Sequence, residues 1–308
     1  DFKKELKESK VKNAKFTSIQ NTTNDLSSVY YISDMGSDHN KKLGLAINYL
    51  NYLGTSKYSP ENLKKEFYKI GIDYNVNAGT DRTYVYLTGL QKNIPQGIQL
   101  FEHLLNDAVA NKESYQEYVN SILKSRENAK KNKNAIAVAL SNYAQNGVDN
   151  RFRDIVSEAD LKAIDPKELT QIIKDFFQYK HQIFYFGNDE KGTKKAIEQY
   201  HNLGKGLAYP AKKEYPQPVT DGKVYFAPYD MVQAEINFVA RDTKYDPTLL
   251  TPSGIFNEYF GGGLSSIVFQ EIRESKSLAY SARSNYSNAS KKELYNYVRA
   301  SIGTQANK

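Results

Sequence analysis

SSVYYISD (residues 27–34), KKLGLAINYLNYLG (41–54), SPENLKKEFYKIG (59–71) and YNVNAGTDRTYVYLTGL (74–90) read in that order as strand, helix, glycine stop, Ser-capped helix, strand and strand. The same order returns in AEINFVARD (234–242), TLLTPSGIFNEYFGGG (248–263), SSIVFQEIRESKS (265–277), LAYSARSNY (278–286) and ELYNYVRASIGT (293–304). Ser59 and Ser265 are 206 residues apart (265 − 59), and so are Tyr74 and Tyr280 (280 − 74). Self-similarity over this distance signals two related domains, because solenoid repeats are roughly 20–50 residues long. Lys308 then corresponds to Glu102 (308 − 206), which predicts one full repeat followed by about half of a second.

Local signals support this reading. Leu43, Ala46, Ile47, Leu50 and Leu53 have the spacing of a helix with one buried face, and Gly54 ends it. Ser59-Pro60 opens the next helix with an N-cap and a first-turn proline. Residues 74–90 alternate and are rich in Tyr, Val and Thr, which predicts strands with a turn near Gly79-Thr80-Asp81. From Pro95 to about Gln145 the pattern is helical, with breaks near Asn111 and Lys133. Asp165-Pro166-Lys167-Glu168 is a capping box, and HQIFYFG (181–187) reads as a buried strand. Residues 203–218 hold three prolines and two glycines with little periodicity and read as a linker. The expected fold is α+β: two related domains, each an antiparallel-rich sheet covered by a layer of helices, the second incomplete. The expected division is a complete domain over 1–204, a linker over 205–218, and the first half of a second copy over 219–308.

Composition narrows the chemistry. A chain of 308 residues without cysteine can bury a core but has no disulfide, thiolate metal site or cysteine nucleophile. No apolar run approaches the ~20 residues of a membrane span. The charged start DFKKELKESK (1–10) reads as lacking a signal peptide. The net charge of +7 comes from lysines interleaved with glutamates, which reads as a solvated surface rather than the basic stripe of a nucleic-acid binder. The 25 tyrosines are expected at half-buried strand and helix positions with wet hydroxyls.

The four histidines, His39, His103, His181 and His201, include no pair at the i, i+4 spacing that places two imidazoles on one helix face. Each is expected at the surface or in packing. Gly261-Gly262-Gly263 before Ser265 could bind an anion, but a helix stop and restart is the simpler use.

The segment FNEYFGGGLSSIVFQEIRESKSLAYSARS (256–284) resembles the C-terminal halves of the pitrilysin/insulinase family of inverted zinc peptidases. Those carry a Gly-rich turn, a Ser-capped helix ending in phenylalanine, and an arginine and a tyrosine seven residues apart. Arg273 and Tyr280 match that pair. YLGTSKYSPENLKKEFYKIGIDYNVNAGTDRTYVYL (52–87) resembles the family's first repeat. The catalytic domains of the family carry H-x-x-E-H on the helix just before the matching Gly-Thr. Counting back from Gly54-Thr55, this chain has Leu45, Ala46, Ile47, Asn48 and Tyr49 there. Glu113 and Glu117 lie on a later helix without a histidine pair to complete.

The resemblance implies a non-catalytic, substrate-chamber half of a zinc-dependent peptidase, inactive alone and without a cofactor of its own. Zinc belongs to a catalytic partner half, in the same longer chain or a separate subunit, and the substrate is a peptide. Arg273 and Tyr280 are the implied substrate-binding and transition-state-supporting residues. From spacing alone, a surface ion pair for Arg273 and sheet packing for Tyr280 stay open. The expected protein is soluble, and its compartment is left unknown between the bacterial periplasm and cytoplasm. The alternative is a metal-free assembly or binding subunit of the same fold, as found among the core subunits of respiratory complexes.

Overall fold

The computed structural model describes residues 2–202, 204–220 and 222–305. The elements, in order, are α1 (Phe2–Glu5), β1 (Lys7–Val11), β2 (Ala14–Gln20), β3 (Leu26–Ser33), α2 (Leu43–Tyr49), β4 (Gly54–Thr55), α3 (Pro60–Lys69), β5 (Ile72–Ala78), β6 (Thr83–Leu90), α4 (Ile94–Asp107), β7 (Ala108–Val109) and α5 (Lys112–Lys131). There follow α6 (Lys133–Asn146), α7 (Glu158–Ala163), α8 (Pro166–Phe176), β8 (Gln182–Gly187), α9 (Glu190–Tyr200), β9 (Gln233–Lys244), α10 (Leu250–Asn257), β10 (Ser281–Ser287) and β11 (Tyr295–Gln305). By contacts the chain divides into two compact units, 1–123 with 156–214 and 124–155 with 215–308.

The first unit is a six-stranded sheet in the order β1-β2-β8-β3-β6-β5, antiparallel except where β2 meets β8. One face is buried: Val29, Tyr31, Val85, Leu87, Ile183 and Tyr185 pack with α2, α4, α8 and α9 through Ile47, Ile98, Phe101, Ile173 and Ile197. The helix starts follow the sequence. Ser59 Oγ accepts from Asn62 N at 3.2 Å, and Asp165 Oδ1 accepts from Lys167 N at 2.9 Å. Asn111 and Asn132 mark the expected breaks, their side chains accepting from Ser114 N at 2.9 Å and Ala135 N at 3.0 Å. Gly71 turns the chain at φ +60° after α3, a conformation that glycine adopts without cost.

The second unit holds a three-stranded antiparallel sheet in the order β10-β11-β9. The first repeat contributes β3, β6 and β5 in the equivalent order β5-β6-β3, so the two repeats share one topology. The division by contacts differs from the division by repeat, because 124–155 groups with the second unit. Lys133 Nζ lies 2.8 Å from Glu235 Oε1, and Arg299 Nη2 donates to Gln145 Oε1 at 2.6 Å. Within this unit Ile236 and Phe238 are 42% and 58% exposed, while Val29 and Tyr31 on β3 are fully buried. The helical turn expected to start at Ser265 is capped one residue later: Ser266 Oγ accepts from Phe269 N at 3.4 Å. Gly261 is required by close approach, since an added Cβ would lie 2.2 Å from Ser284 O. Among the described residues no helix is long and apolar enough to cross a membrane.

Candidate functional site

Leu45, Asn48 and Tyr49 lie on α2, whose apolar positions dock it on the sheet. Tyr49 is fully buried, and its hydroxyl donates to Asn111 O at 2.8 Å. Two tyrosines of α5 pack on it: the Tyr115 ring edge-on at 5.5 Å and the Tyr118 ring stacked at 5.8 Å. Tyr118 Oη donates to Leu45 O at 3.2 Å, and Tyr115 Oη to Leu161 O at 2.6 Å. Burial pushes the Tyr115 phenol up to about 12 and raises that of Tyr118 further, so both stay neutral donors. Asn48 is exposed and bonds back to Gly44 O at 2.8 Å. Glu113 and Glu117 point to solvent from the opposite face of α5. A zinc ion does not fit here: the position offers a leucine, an amide turned to its own helix and a phenol already bonded, where zinc takes imidazole, thiolate or carboxylate. Among the described residues no three His, Cys, Asp or Glu side chains could hold a metal ion.

The structure brings Arg273 and Tyr280 together. Arg273 sits in a wide helical turn, Phe269–Ser275, and Tyr280 just before β10. Ser277, in the left-handed region at φ +49°, turns the chain between them, and Tyr280 N is fixed to Gly303 O at 2.9 Å. The Arg273 guanidinium lies 4.7 Å from the centre of the Phe269 ring and 5.5 Å from that of Tyr280. Its Nε is 3.5 Å from Glu274 Oε1, a surface contact worth little by itself. The Tyr280 side chain is 74% exposed, so both alternatives left open by spacing are answered in part: Arg273 does make an ion pair, and Tyr280 does not pack inside the sheet. A guanidinium held over aromatic faces keeps its fork of donors accessible while its orientation is restricted.

One polar constellation escaped sequence reasoning. Glu102 of α4, His181 before β8 and His201 after α9 form a chain inside the first unit. His201 Nδ1 is 2.6 Å from Glu102 Oε1, the two Nε2 atoms are 2.9 Å apart, and His181 Nδ1 is 2.9 Å from Tyr179 O. The Tyr31 ring stacks on His201 at 4.3 Å. A carbonyl only accepts, so His181 Nδ1 carries a proton. Neutral His181 then presents a bare Nε2 that accepts from His201 Nε2–H. Burial and the neighbouring His201 push the His181 imidazole down to about 4. Residues 102, 181 and 201 come from three separate parts of the chain, so no spacing announces them. His39 Nδ1 accepts from Gly36 N at 3.1 Å, and His103 lies 3.7 Å from Asp107 Oδ2.

The fold is α+β with antiparallel-rich sheets covered by helices, and α2 carries an aromatic cluster at the positions the resemblance assigns to the metal motif. The model of the insulinase family, peptidase family M16, matches residues 15–151, and that of the peptidase M16 inactive domain matches residues 163–308. The chain belongs to this family. A comparison with curated proteins gave no match. Among solved structures, the peptidase M16 inactive domain from Pseudomonas fluorescens superposes with a TM-score of 0.77 at 16% identity, over 98% of this chain and 74% of that one. The periplasmic protease PqqL from Escherichia coli gives 0.80 at 16% identity, over 98% of this chain and 34% of its own. A mutant of the ferredoxin protease FusC, solved with Arabidopsis ferredoxin, gives 0.79 at 12% identity, over 99% and 34%. This chain thus spans about a third of the latter two, and at these identities the likeness is one of fold.

Proposed function

We propose that this chain is the non-catalytic, substrate-chamber half of a zinc-dependent peptidase acting on peptides. Arg273 and Tyr280 complete the active site of a separate half bearing H-x-x-E-H, in the same longer chain or a partner subunit. The repeat boundaries at 1–204 and 219–308 belong to this reading. The observation that carries it is the pairing of Arg273 with Tyr280 at an accessible surface, 5.5 Å from guanidinium to ring. The chemistry is suited to the task. An arginine fork binds a peptide carbonyl or carboxylate, and a tyrosine hydroxyl donates to an oxyanion developing on a scissile carbonyl. The complex of the FusC mutant with Arabidopsis ferredoxin supports a polypeptide as the substrate class.

The test is reconstitution with an H-x-x-E-H half and a fluorogenic peptide. Arg273→Ala and Tyr280→Phe are expected to leave the melting of this chain unchanged and to lower turnover by roughly 10²–10³. Unchanged turnover would leave the metal-free assembly subunit as the reading.

A further inference from the structure

The six-stranded sheet of the first unit has a second face, turned away from its helices. An antiparallel sheet with one wet face normally carries polar residues there. Here β3, β6 and β8 carry aromatic residues in adjoining rows. Tyr30 pairs across the ladder with Tyr86 on one side and Phe184 on the other, and Ile32 pairs with Tyr84. The Tyr30 and Tyr86 rings stack at 4.6 Å, and Phe184 meets Tyr30 edge-on at 5.9 Å. With Phe186 these side chains line an open depression of about 510 Å³. That is the size of a ligand site, roughly 300–1,000 Å³.

Charge and spacing select the occupant. Of the residues lining the depression Arg82 alone is charged, and its Nε donates to Asp34 Oδ1 at 2.7 Å. The centre is therefore uncharged, although the chain carries +7. Burial and the neighbouring Tyr86 and Tyr84 raise the Tyr30 phenol, which keeps it neutral. An uncharged surface favours uncharged side chains, because a buried charge without a partner is costly. Same-face neighbours along one strand, such as Tyr84 and Tyr86, repeat at about 6.7 Å, twice the strand rise. Alternate side chains of an extended peptide repeat at the same distance. Tyrosine also offers a rigid apolar surface with a hydroxyl for peptide N–H and C=O groups.

We propose that this face, centred on Tyr30, Tyr86 and Phe184, binds an extended peptide segment with uncharged apolar side chains at alternate positions. The proposal rests on the peptide-chamber reading and adds a docking surface distinct from the Arg273–Tyr280 pair.

The test uses this chain alone and fluorescein-labelled ten-residue peptides read by anisotropy. A peptide alternating Leu or Phe with Ser is expected to bind saturably. Replacing its apolar residues with Glu is expected to weaken binding at least about tenfold. Tyr86→Ser should cause a similar loss. Ser28→Lys, which places a charge beside the rings without removing any of them, serves where Tyr86→Ser fails to fold. No saturable binding by the parent, or equal binding by parent and Ser28→Lys, overturns the proposal. So does a parent dimer in sedimentation that Ser28→Lys makes monomeric, which would assign the face to a second copy. No saturable binding by the parent, with reconstituted turnover that Arg273→Ala still lowers, rejects only this surface. Intact binding with no effect of Arg273→Ala or Tyr280→Phe rejects only the function proposed above.

Discussion

Acidification should unfasten the first unit at His181, by an amount the structure defines. The folded imidazole is held down to about 4, from an unperturbed 6.5, by burial first and His201 second. The neutral form is built in, because a proton on His181 Nε2 would meet the His201 Nε2–H head-on across 2.9 Å. For a histidine depressed in the folded state, the unfolded chain binds more protons between the two values. Stability from this residue is therefore complete above about pH 6.5 and is lost as pH falls toward 4. At 1.36 kcal/mol per unit the loss is about 3 kcal/mol. Other groups titrate over the same range, so the informative quantity is a difference. His181→Gln retains a donor for Tyr179 O and an acceptor for His201 but does not titrate. Urea unfolding followed by far-UV circular dichroism, at pH steps from 7 to 4, should show the parent losing about 3 kcal/mol more than the variant. Parallel pH curves would refute the reasoning, including the proton inventory that makes His181 neutral.

Further outcomes follow from the same packing. The chain should bind no tight zinc after gel filtration, measured by elemental analysis; one zinc per chain with chelator-sensitive hydrolysis would contradict the reading of positions 45, 48 and 49. Tyr49→Ala should destabilise the first unit by about 3–5 kcal/mol in urea unfolding, as for other large buried rings, since Tyr49 supports both Tyr115 and Tyr118. Amide exchange should be faster in β9, β10 and β11 than in β3, β6 and β8, because Phe238 is 58% exposed where the equivalent face of the first sheet is buried; equal protection would show the second unit to be as well covered as the first.

Much of the fold was legible because its determinants are local. Ser59, Asp165 and Pro166 act within one helical turn, and the alternation of 74–90 is a property of single strands. The repeat could be read for the same reason: each half carries its own strand and helix signals in the same order. The contact-based grouping of 124–155 was not legible. It depends on pairs such as Lys133 with Glu235 and Gln145 with Arg299, separated by more than a hundred residues and chemically ordinary. Ser265 and Ser266 are adjacent caps of equal propensity, and the close approach of Gly261 to Ser284 helps fix the turn that precedes them.

The site divides along the same line. Arg273 and Tyr280 lie seven residues apart, close enough for one turn to bring them together, but it was the family resemblance rather than their spacing that singled them out. The loss of the metal motif was equally plain at Leu45, Asn48 and Tyr49. What replaces it was not, because Tyr115 and Tyr118 arrive from α5 and no pattern distinguishes them from the other tyrosines of the chain. The aromatic face has the same origin. Tyr84 and Tyr86 look like ordinary strand residues until the register places Tyr30 and Phe184 beside them. Alternation in one strand separates two faces without saying which one the helices will cover. Where both faces are apolar, as in YVYL (84–87) and IFYF (183–186), only the packing of α4, α8 and α9 on Val85, Leu87, Ile183 and Tyr185 decides it. The aromatic residues left on the other side are then the ones that line the open depression.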